Sequence, residues 1–376
     1  MIEKYVEEEN KFRALITNYL RGSFKPSVFQ MDNYPIILQK FEELEAYIDE
    51  MKHNKEYIFF LSADENFKKK FKLICKIVSE ISFENFKKKI VPISSLLIDI
   101  KYAQICNQFL KNSSNPRIFE IGPGSGYFGV ATALDNINYS STDTTMGFFL
   151  WQAILYQKID TKFKVDFKTN DFELFNKDSL ISHNTWWKIA ELYHHIDKTN
   201  NNFCDIIYCS SAFAEFSSLS QNYYIKIGKK LLSKNFDKNN RIGFFYMPNF
   251  GKFNDPQLKN SDIINKFEKE GFLALSLKSG FVFILKETIK DSSKIPTLDF
   301  INTSKNFRYK NFILKNYLKK FSLSKELKTL IFSLDQKVFQ HEKNKEIEKI
   351  ILEAKKIYEF SNNYKVNEFI DIPIKL

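Results

Sequence analysis

Through much of residues 1–92, apolar side chains recur at three- and four-residue spacing. Examples are "FEELEAYIDEMKH" and "NFKKKFKLICKIVSEI", with lysine and glutamate at the positions between. That period predicts amphipathic helices. Pro92 interrupts it, and "ISSLLIDIKYAQICNQFLK" predicts one more helix leading up to a glycine-rich stretch. From residue 117 the period changes. "RIFEI", "INYSSTD", "FKVDFK", "FCDIIYCSS" and "RIGFFYM" read as strands, and "GYFGVATAL", "MGFFLWQAILYQK" and "LSQNYYIKIGKKLLSK" as helices between them. "FLALSLKSGFVFILKE" reads as two strands joined at Lys278-Ser279-Gly280. Strands alternating with helices predict a parallel sheet covered on both faces, which the closing hairpin supplies with one antiparallel strand at or near the edge. After "KDSSKIPTLDF", which reads as a linker, helical spacing returns over 311–360. The expected organisation is a helical N-terminal region (1–92), an α/β domain (93–290) and a helical C-terminal region (291–376).

Charge changes this picture little. The formal net charge is +11, but only five of the 56 basic residues are arginine: Arg13, Arg21, Arg117, Arg241 and Arg308. Surfaces built for nucleic acid favour arginine for its bidentate contacts, so the lysine excess argues against such a partner. Cys75, Cys106, Cys204 and Cys209 form no CxxC pair and no zinc-spaced cluster with histidine, so no metal is expected. They read as buried, reduced thiols. The charged N-terminus lacks the apolar stretch of a signal peptide, and no apolar run reaches membrane length. A cytoplasmic protein is expected, with peripheral attachment to the inner face of the membrane through lysines left open.

The chemistry concentrates in "RIFEIGPGSGYFG", Arg117–Gly129, which holds four of the chain's 11 glycines. At a strand-to-helix junction such glycines admit positive φ, and a ligand can approach the backbone next to the free N–H groups of the following helix. Gly124, Gly126 and Gly129 spell GxGxxG, which taken alone also suits a dinucleotide. Glu120, two residues before the first glycine, disfavours a pyrophosphate and favours a cationic amino-acid group. Asp143 ends the next strand, where a carboxylate can accept both hydroxyls of a ribose.

On these residues the chain resembles the class I S-adenosylmethionine-dependent methyltransferases, whose first motif is an acid followed by GxGxG. The resemblance covers about 117–287 and implies a Rossmann-like seven-stranded sheet, mostly parallel with one antiparallel strand. It also implies S-adenosyl-L-methionine as cofactor, its methionine part in the glycine loop (Glu120, Gly122, Gly124, Ser125, Gly126) and its ribose on Asp143. The blocks "EIGPGSGYFG", "STDTTMGFFLWQ", a WW pair and "AFAEFSSLSQNYY", in that order, resemble the bacterial sugar O-methyltransferases of polysaccharide loci. That likeness implies transfer to a hydroxyl of a sugar or polysaccharide. "CSSAF" departs from the Asn or His expected at that point.

A sugar hydroxyl is a weak nucleophile near neutral pH, so a base is sought. The candidates are His183, ahead of the tryptophan pair in a segment expected between the third and fourth strands, and Glu215, just past the fourth. His194 and His195 fall in an amphipathic segment and read as surface residues. Trp186 and Trp187 offer aromatic faces for a sugar ring. Ser210, with Ser211 beside it, follows the fourth strand, and Asp171, after "FKVDFK", is placed to reach the adenine. Three alternatives stay open: a methyltransferase with another small-molecule or lipid acceptor, a non-catalytic cofactor-binding scaffold, and, less favoured, a dehydrogenase. The helical ends offer a surface for a homo-oligomer.

Overall fold

The computed structural model describes residues 1–15, 38–48 and 64–289, apart from 93, 112, 168–171, 200, 240, 252–256 and 278. Among these, seven strands form one sheet: β1 (Arg117–Ile121), β2 (Asn138–Asp143), β3 (Ile181–Thr185), β4 (Ile206–Tyr208), β5 (Phe244–Met247), β6 (Phe272–Leu277) and β7 (Gly280–Leu285). Their order is β3-β2-β1-β4-β5-β7-β6. The pairs from β3 to β5 are parallel, and β7 runs antiparallel to both β5 and β6. This is the α/β, Rossmann-like sheet with one antiparallel strand that the sequence predicts. The hairpin places the antiparallel strand β7 next to the edge, as expected, and β6 forms the edge itself.

Helices α1 (Ile2–Leu15), α2 (Glu65–Phe86) and α3 (Ser94–Leu110) precede the sheet. Asp64 caps α2 by accepting from Phe67 N at 2.7 Å. Helices α4 (Tyr127–Ala133), α5 (Met146–Ile159), α6 (Trp186–His195), α7 (Ser218–Asn239) and α8 (Asn260–Lys269) alternate with the strands. Buried residues of the N-terminal elements, among them Tyr5, Tyr47, Phe71 and Ile74, belong to the same apolar core as the sheet. Of the expected helix over 41–53, Phe41–Tyr47 forms a 3-10 helix, and 49–63 lies outside the described residues. The helical C-terminal region (291–376) lies outside them as well. Among the described residues no helix is long and apolar enough to cross a membrane, and the four cysteines are buried free thiols.

The third strand is a correction. "FKVDFK" was the expected strand, but 163–167 carries no regular structure, and β3 is "ISHNT" further along. Period counting misses β3 because its polar side chains are satisfied across the sheet. Asn184 Nδ2 donates to Ser140 Oγ at 2.8 Å, and Ser141 Oγ and His183 Nδ1 share a hydrogen bond of 2.8 Å. Buried polar groups cost little once paired, so a strand of Ser, His, Asn and Thr can occupy a sheet interior. Helix α8, with Asp262 at its third residue reaching back to the Lys259 N–H at 2.7 Å, was also not anticipated.

Candidate active site

Strand β1 lies between β2 and β4, so the chain turns one way through α4 to β2 and later crosses back to β4. Open α/β sheets bind ligands at such a switch point, outside the carboxyl ends of the strands. The glycine loop sits there. Gly122, Gly124 and Gly126 have φ of +68°, +56° and +81°, all in the left-handed region. Gly122 N donates to Thr142 O, and Gly126 N to Pro123 O, each at 2.9 Å. A Cβ at Gly122 would lie 2.8 Å from Ala212 Cβ in the loop after β4. At Gly126 it would meet Gln152 Cγ and Tyr156 Oη at 3.0 Å. Gly129 serves another purpose. A Cβ there would lie 2.4 Å from the Tyr139 ring, so the last glycine of GxGxxG makes room for close packing of α4 on β2.

Beneath the loop is a buried polar chain. Glu120 is 2% exposed, and Tyr139 Oη donates to its Oε2 at 2.5 Å. The hydroxyls of Tyr139 and Tyr156 lie 3.2 Å apart, and Tyr156 also bonds Ser141, which leads to His183. Burial, with the charges of nearby acids (Glu120 for all three, Asp99 ahead of it for Tyr208) adding to it, holds the phenols of Tyr139, Tyr156 and Tyr208 in their neutral form. Glu120 therefore places a buried acid under the glycine turn.

Asp143, 5% exposed at the end of β2, fastens the loop to α5. Its Oδ1 accepts from Thr145 N at 2.9 Å and its Oδ2 from Gln152 Nε2 at 3.2 Å, and the backbone amides of Gly124 and Thr144 bond it too. Burial pushes its carboxyl up to about 7 against these stabilising hydrogen bonds. Gln152 Nε2 further donates to Gly124 O at 2.5 Å, and Trp151 Nε1 to Ser125 O at 3.1 Å. Neither Gln152 nor Trp151 was singled out from the sequence, although both fall in the "STDTTMGFFLWQ" block. Around this cradle Ser125 Oγ, Thr142 Oγ1 and Gln152 Oε1 are buried without a hydrogen-bond partner in the described structure. Orphaned buried polar atoms beside a backbone cradle suit a polar ligand.

The opposite wall is the loop after β4. Ser210 is partly exposed there, and Ser211 adopts φ +60°. Its conformation is held by Ser211 N donating to Asn249 O at 3.3 Å and by a 2.8 Å bond from Ser211 Oγ to Asn249 Oδ1. A non-glycine residue in that region is uncommon and clusters at ligand sites. Glu215 ends a 3-10 turn, Phe213–Glu215, and is partly buried. Its charge is felt at the Cys209 thiol, which burial pushes up, so Cys209 is no nucleophile. Asp99 on α3, also not anticipated, accepts from Phe128 N in the first turn of α4 and caps the helix that Gly126 cannot cap with a side chain.

Several expected site residues sit elsewhere. His183 lies in β3, 5% exposed, with its ring stacked 4.0 Å from that of Phe149. Its Nδ1 pairs with Ser141 Oγ, and its Nε2 with Phe149 O at 3.1 Å. Burial pulls the imidazole down to about 3. A ring with both nitrogens engaged inside the sheet has none to offer an acceptor, so His183 is a packing residue. His183→Ala is therefore expected to cost about 2–4 kcal/mol of stability. Its activity per folded molecule should stay within about threefold of wild type, as read by denaturant unfolding beside a transfer assay. Trp186 and Trp187, each 1% exposed, are also packed inside. Trp186 Nε1 donates to Glu9 Oε1 at 2.9 Å, and Trp187 Nε1 to Phe167 O at 3.1 Å, so neither face is open to a sugar. His194 is exposed, and His195 stacks 3.8 Å from Phe172. Asp171 lies outside the described residues. Among the described residues no group of His, Cys, Asp or Glu is set to hold a metal ion.

No protein-family model matches the chain, and no curated protein matches it. Solved structures do. An O-methyltransferase from Bacillus cereus, in complex with SAH, is 11% identical with a TM-score of 0.33, over 64% of this chain and 99% of that one. The magnesium protoporphyrin IX methyltransferase from Synechocystis PCC 6803, with bound SAM, is 11% identical with a TM-score of 0.30, over 57% and 95%. A human methyltransferase 10 domain containing protein is 12% identical with a TM-score of 0.29, over 59% and 96%. Likeness this loose adds no weight to the reading of the site, which rests on its residues.

Proposed function

We propose that the protein is an S-adenosyl-L-methionine-dependent O-methyltransferase whose acceptor is a sugar hydroxyl of a surface-polysaccharide precursor or product. The observation that carries the reading is the cradle itself. Three left-handed glycines stand at the switch point, a buried acid lies beneath them, and Asp143 sits at their edge with Ser125 Oγ, Thr142 Oγ1 and Gln152 Oε1 unpartnered around it. A nucleoside cofactor with a cationic amino-acid end has the groups that such a cradle lacks: a diol that donates to Asp143, and an ammonium group attracted by the Glu120 charge. Gly122, Gly124, Ser125 and Gly126 supply backbone that this end can approach closely. Ser210 would line the cofactor from the loop after β4.

When bound, the cofactor supplies an electrophilic methyl group and a thioether leaving group. The chain's own residues then have three tasks. The loop after β4 holds the acceptor hydroxyl in line with the methyl carbon, since alignment accounts for much of the barrier in such a displacement. The walls exclude water. Glu215, the acid of that loop, would take the proton of the acceptor hydroxyl held there. With His183 and both tryptophans inside the core, the acceptor is held by the β4 loop.

Three experiments test this. S-Adenosylhomocysteine at about 100 times its Kd is expected to stabilise the protein by about 2.7 kcal/mol, and NAD is expected to do nothing. A melting shift with NAD alone overturns the reading. Incubation with methyl-labelled cofactor and extracts of sugar nucleotides and polysaccharide is expected to label a sugar oxygen, located by mass spectrometry. Label on a lipid or another acceptor keeps the cofactor and discards the sugar. Glu215→Gln is expected to lower kcat about 100-fold or more, with S-adenosylhomocysteine affinity within twofold. Unaltered turnover removes Glu215 from the base role.

A further inference from the structure

Ser210 and Glu215 flank a short stretch of the loop after β4, residues 211–214, which the loop leaving β5 pins from one side. Ser211 N donates to Asn249 O at 3.3 Å, and Ser211 Oγ to Asn249 Oδ1 at 2.8 Å. Ala214 N donates to Phe250 O at 2.6 Å, and Glu215 N to Ala212 O at 3.0 Å. Both ends of the stretch are therefore tied to consecutive residues of the second loop, and Glu215 follows directly on the second tie. Ala212, between the ties, is the residue whose Cβ closes on Gly122 of the glycine turn.

The second loop is itself fixed. Phe250 is 2% exposed and stacks on Phe281 of β7, with ring centres 4.5 Å apart. Gly251 has φ of +87°, and a Cβ there would lie 2.1 Å from Ser211 O, so the two backbones touch. The Asn249 side chain is exposed but oriented. Its Oδ1 accepts from Ser211 Oγ and also from Gly251 N, the latter at 3.0 Å. A backbone N–H can only donate, so it is the amide oxygen that faces both loops. What that oxygen holds is uncommon. Ser211 has φ of +60°, a conformation that residues with a side chain seldom adopt and that persists where the surroundings impose it. Among the described residues, the other positive-φ positions that are not glycine are Lys87, at the end of α2, and Asn115 and Asn136, of a type that tolerates it. Ser211 alone of the four lies at the carboxyl end of the sheet, where ligands bind.

We propose that Asn249 is a positioning residue for transfer: by holding Ser211 in this conformation it sets the 211–214 stretch, and through it the place of Glu215 at the acceptor hydroxyl. The inference rests on the methyltransferase reading, and it gives the loop after β5 a task in it. A base carried on a loop acts from one geometry only, and a displacement of about 1 Å costs about 100-fold in rate.

The test uses the full chain, methyl-labelled S-adenosylmethionine and extracts of sugar nucleotides and polysaccharide. Asn249→Ala is expected to lower the transfer rate at saturating cofactor by roughly 10- to 100-fold. Its Kd for S-adenosylhomocysteine should stay within about threefold of wild type, because the lost interaction serves the acceptor side. Its urea midpoint should barely move, since the side chain is exposed. Adding Ser211→Gly to Asn249→Ala should bring the rate back to within about threefold of wild type, because glycine enters the left-handed region unaided. A side chain that served stability alone would show neither the split between rate and affinity nor the rescue. Wild-type rate in Asn249→Ala, no recovery in the double variant, or an Asn249→Ala protein that does not fold overturns this proposal and leaves the cofactor reading intact. No transfer by the wild type overturns the methyltransferase reading and this inference with it.

Discussion

Replacing Asp143 by alanine is expected to weaken S-adenosylhomocysteine binding about 100-fold. The carboxylate accepts from Thr145 N, Gln152 Nε2 and the amides of Thr144 and Gly124, so it holds the glycine turn against α5 while facing the proposed ribose. Hydrogen bonds to a charged group contribute about 1.5–3 kcal/mol each. Loss of the pair to a diol alone gives about 3 kcal/mol, roughly two decades of Kd. The group also sets a pH dependence. Its carboxyl lies up at about 7, and the diol favours the ionised form. Affinity should therefore fall as pH drops below 7, by up to about tenfold per unit where one proton is taken up. Asp143→Asn keeps an acceptor but cannot titrate, so its weaker affinity should be flat over the same range. Calorimetry between pH 5.5 and pH 8.5 checks both, and wild-type affinity in a folded Asp143→Ala would contradict the ribose assignment.

The second large effect is on stability. Gly129→Ala places a methyl group 2.4 Å from the Tyr139 ring, which is wholly buried and bonded to Glu120. An alanine inside a helix is ordinarily favoured over glycine by about 1 kcal/mol. Here that gain is outweighed. Overpacking costs about 1–3 kcal/mol, and pushing Tyr139 off Glu120 leaves a buried carboxylate short of a donor, a further 1–3 kcal/mol or so. A net loss of about 3 kcal/mol is expected, read as a lower midpoint in urea with an unchanged slope. Tyr139→Phe should lose less, because the ring stays. A Gly129→Ala protein that unfolds at the wild-type midpoint would mean that this contact is loose.

Both predictions concern features that the sequence shows only in part. The strands β1, β4 and β5 and the β6–β7 hairpin were legible because they are mostly apolar runs between turn residues, the pattern of a sheet buried on both faces, whereas β2, "NYSSTD", is polar and was legible from its place between two helices and the acid that ends it. The glycine turn was legible because glycines are scarce in this chain and cluster at a strand-to-helix junction, and Asp143 because it closes the next strand. β3 was not legible. "ISHNT" is a strand only by virtue of Ser140, Ser141 and the backbone of Leu174 and Phe149, which satisfy its polar groups from other elements. The misreading of His183 followed directly. A histidine placed in a loop between strands is a candidate base, and the same histidine in the sheet with both nitrogens engaged is part of the core. The tryptophan pair illustrates the same point, since adjacent aromatic residues look like a sugar platform until each indole N–H is found bonded inside.

By itself, then, the sequence determined the class of fold, the place of the ligand turn and the acid at its edge. These depend on local properties: backbone freedom at glycine, hydrophobic period and the chemistry of single residues at strand ends. Only the tertiary structure decided which polar residues are satisfied inside and which face the site. It set Gly129 against Tyr139, took His183, Trp186 and Trp187 into the core, and brought Asn249 to Ser211 from the loop after the next strand. The physical reason is that burial and hydrogen-bond satisfaction belong to pairs of residues distant in sequence, and no local pattern records which partner each will meet.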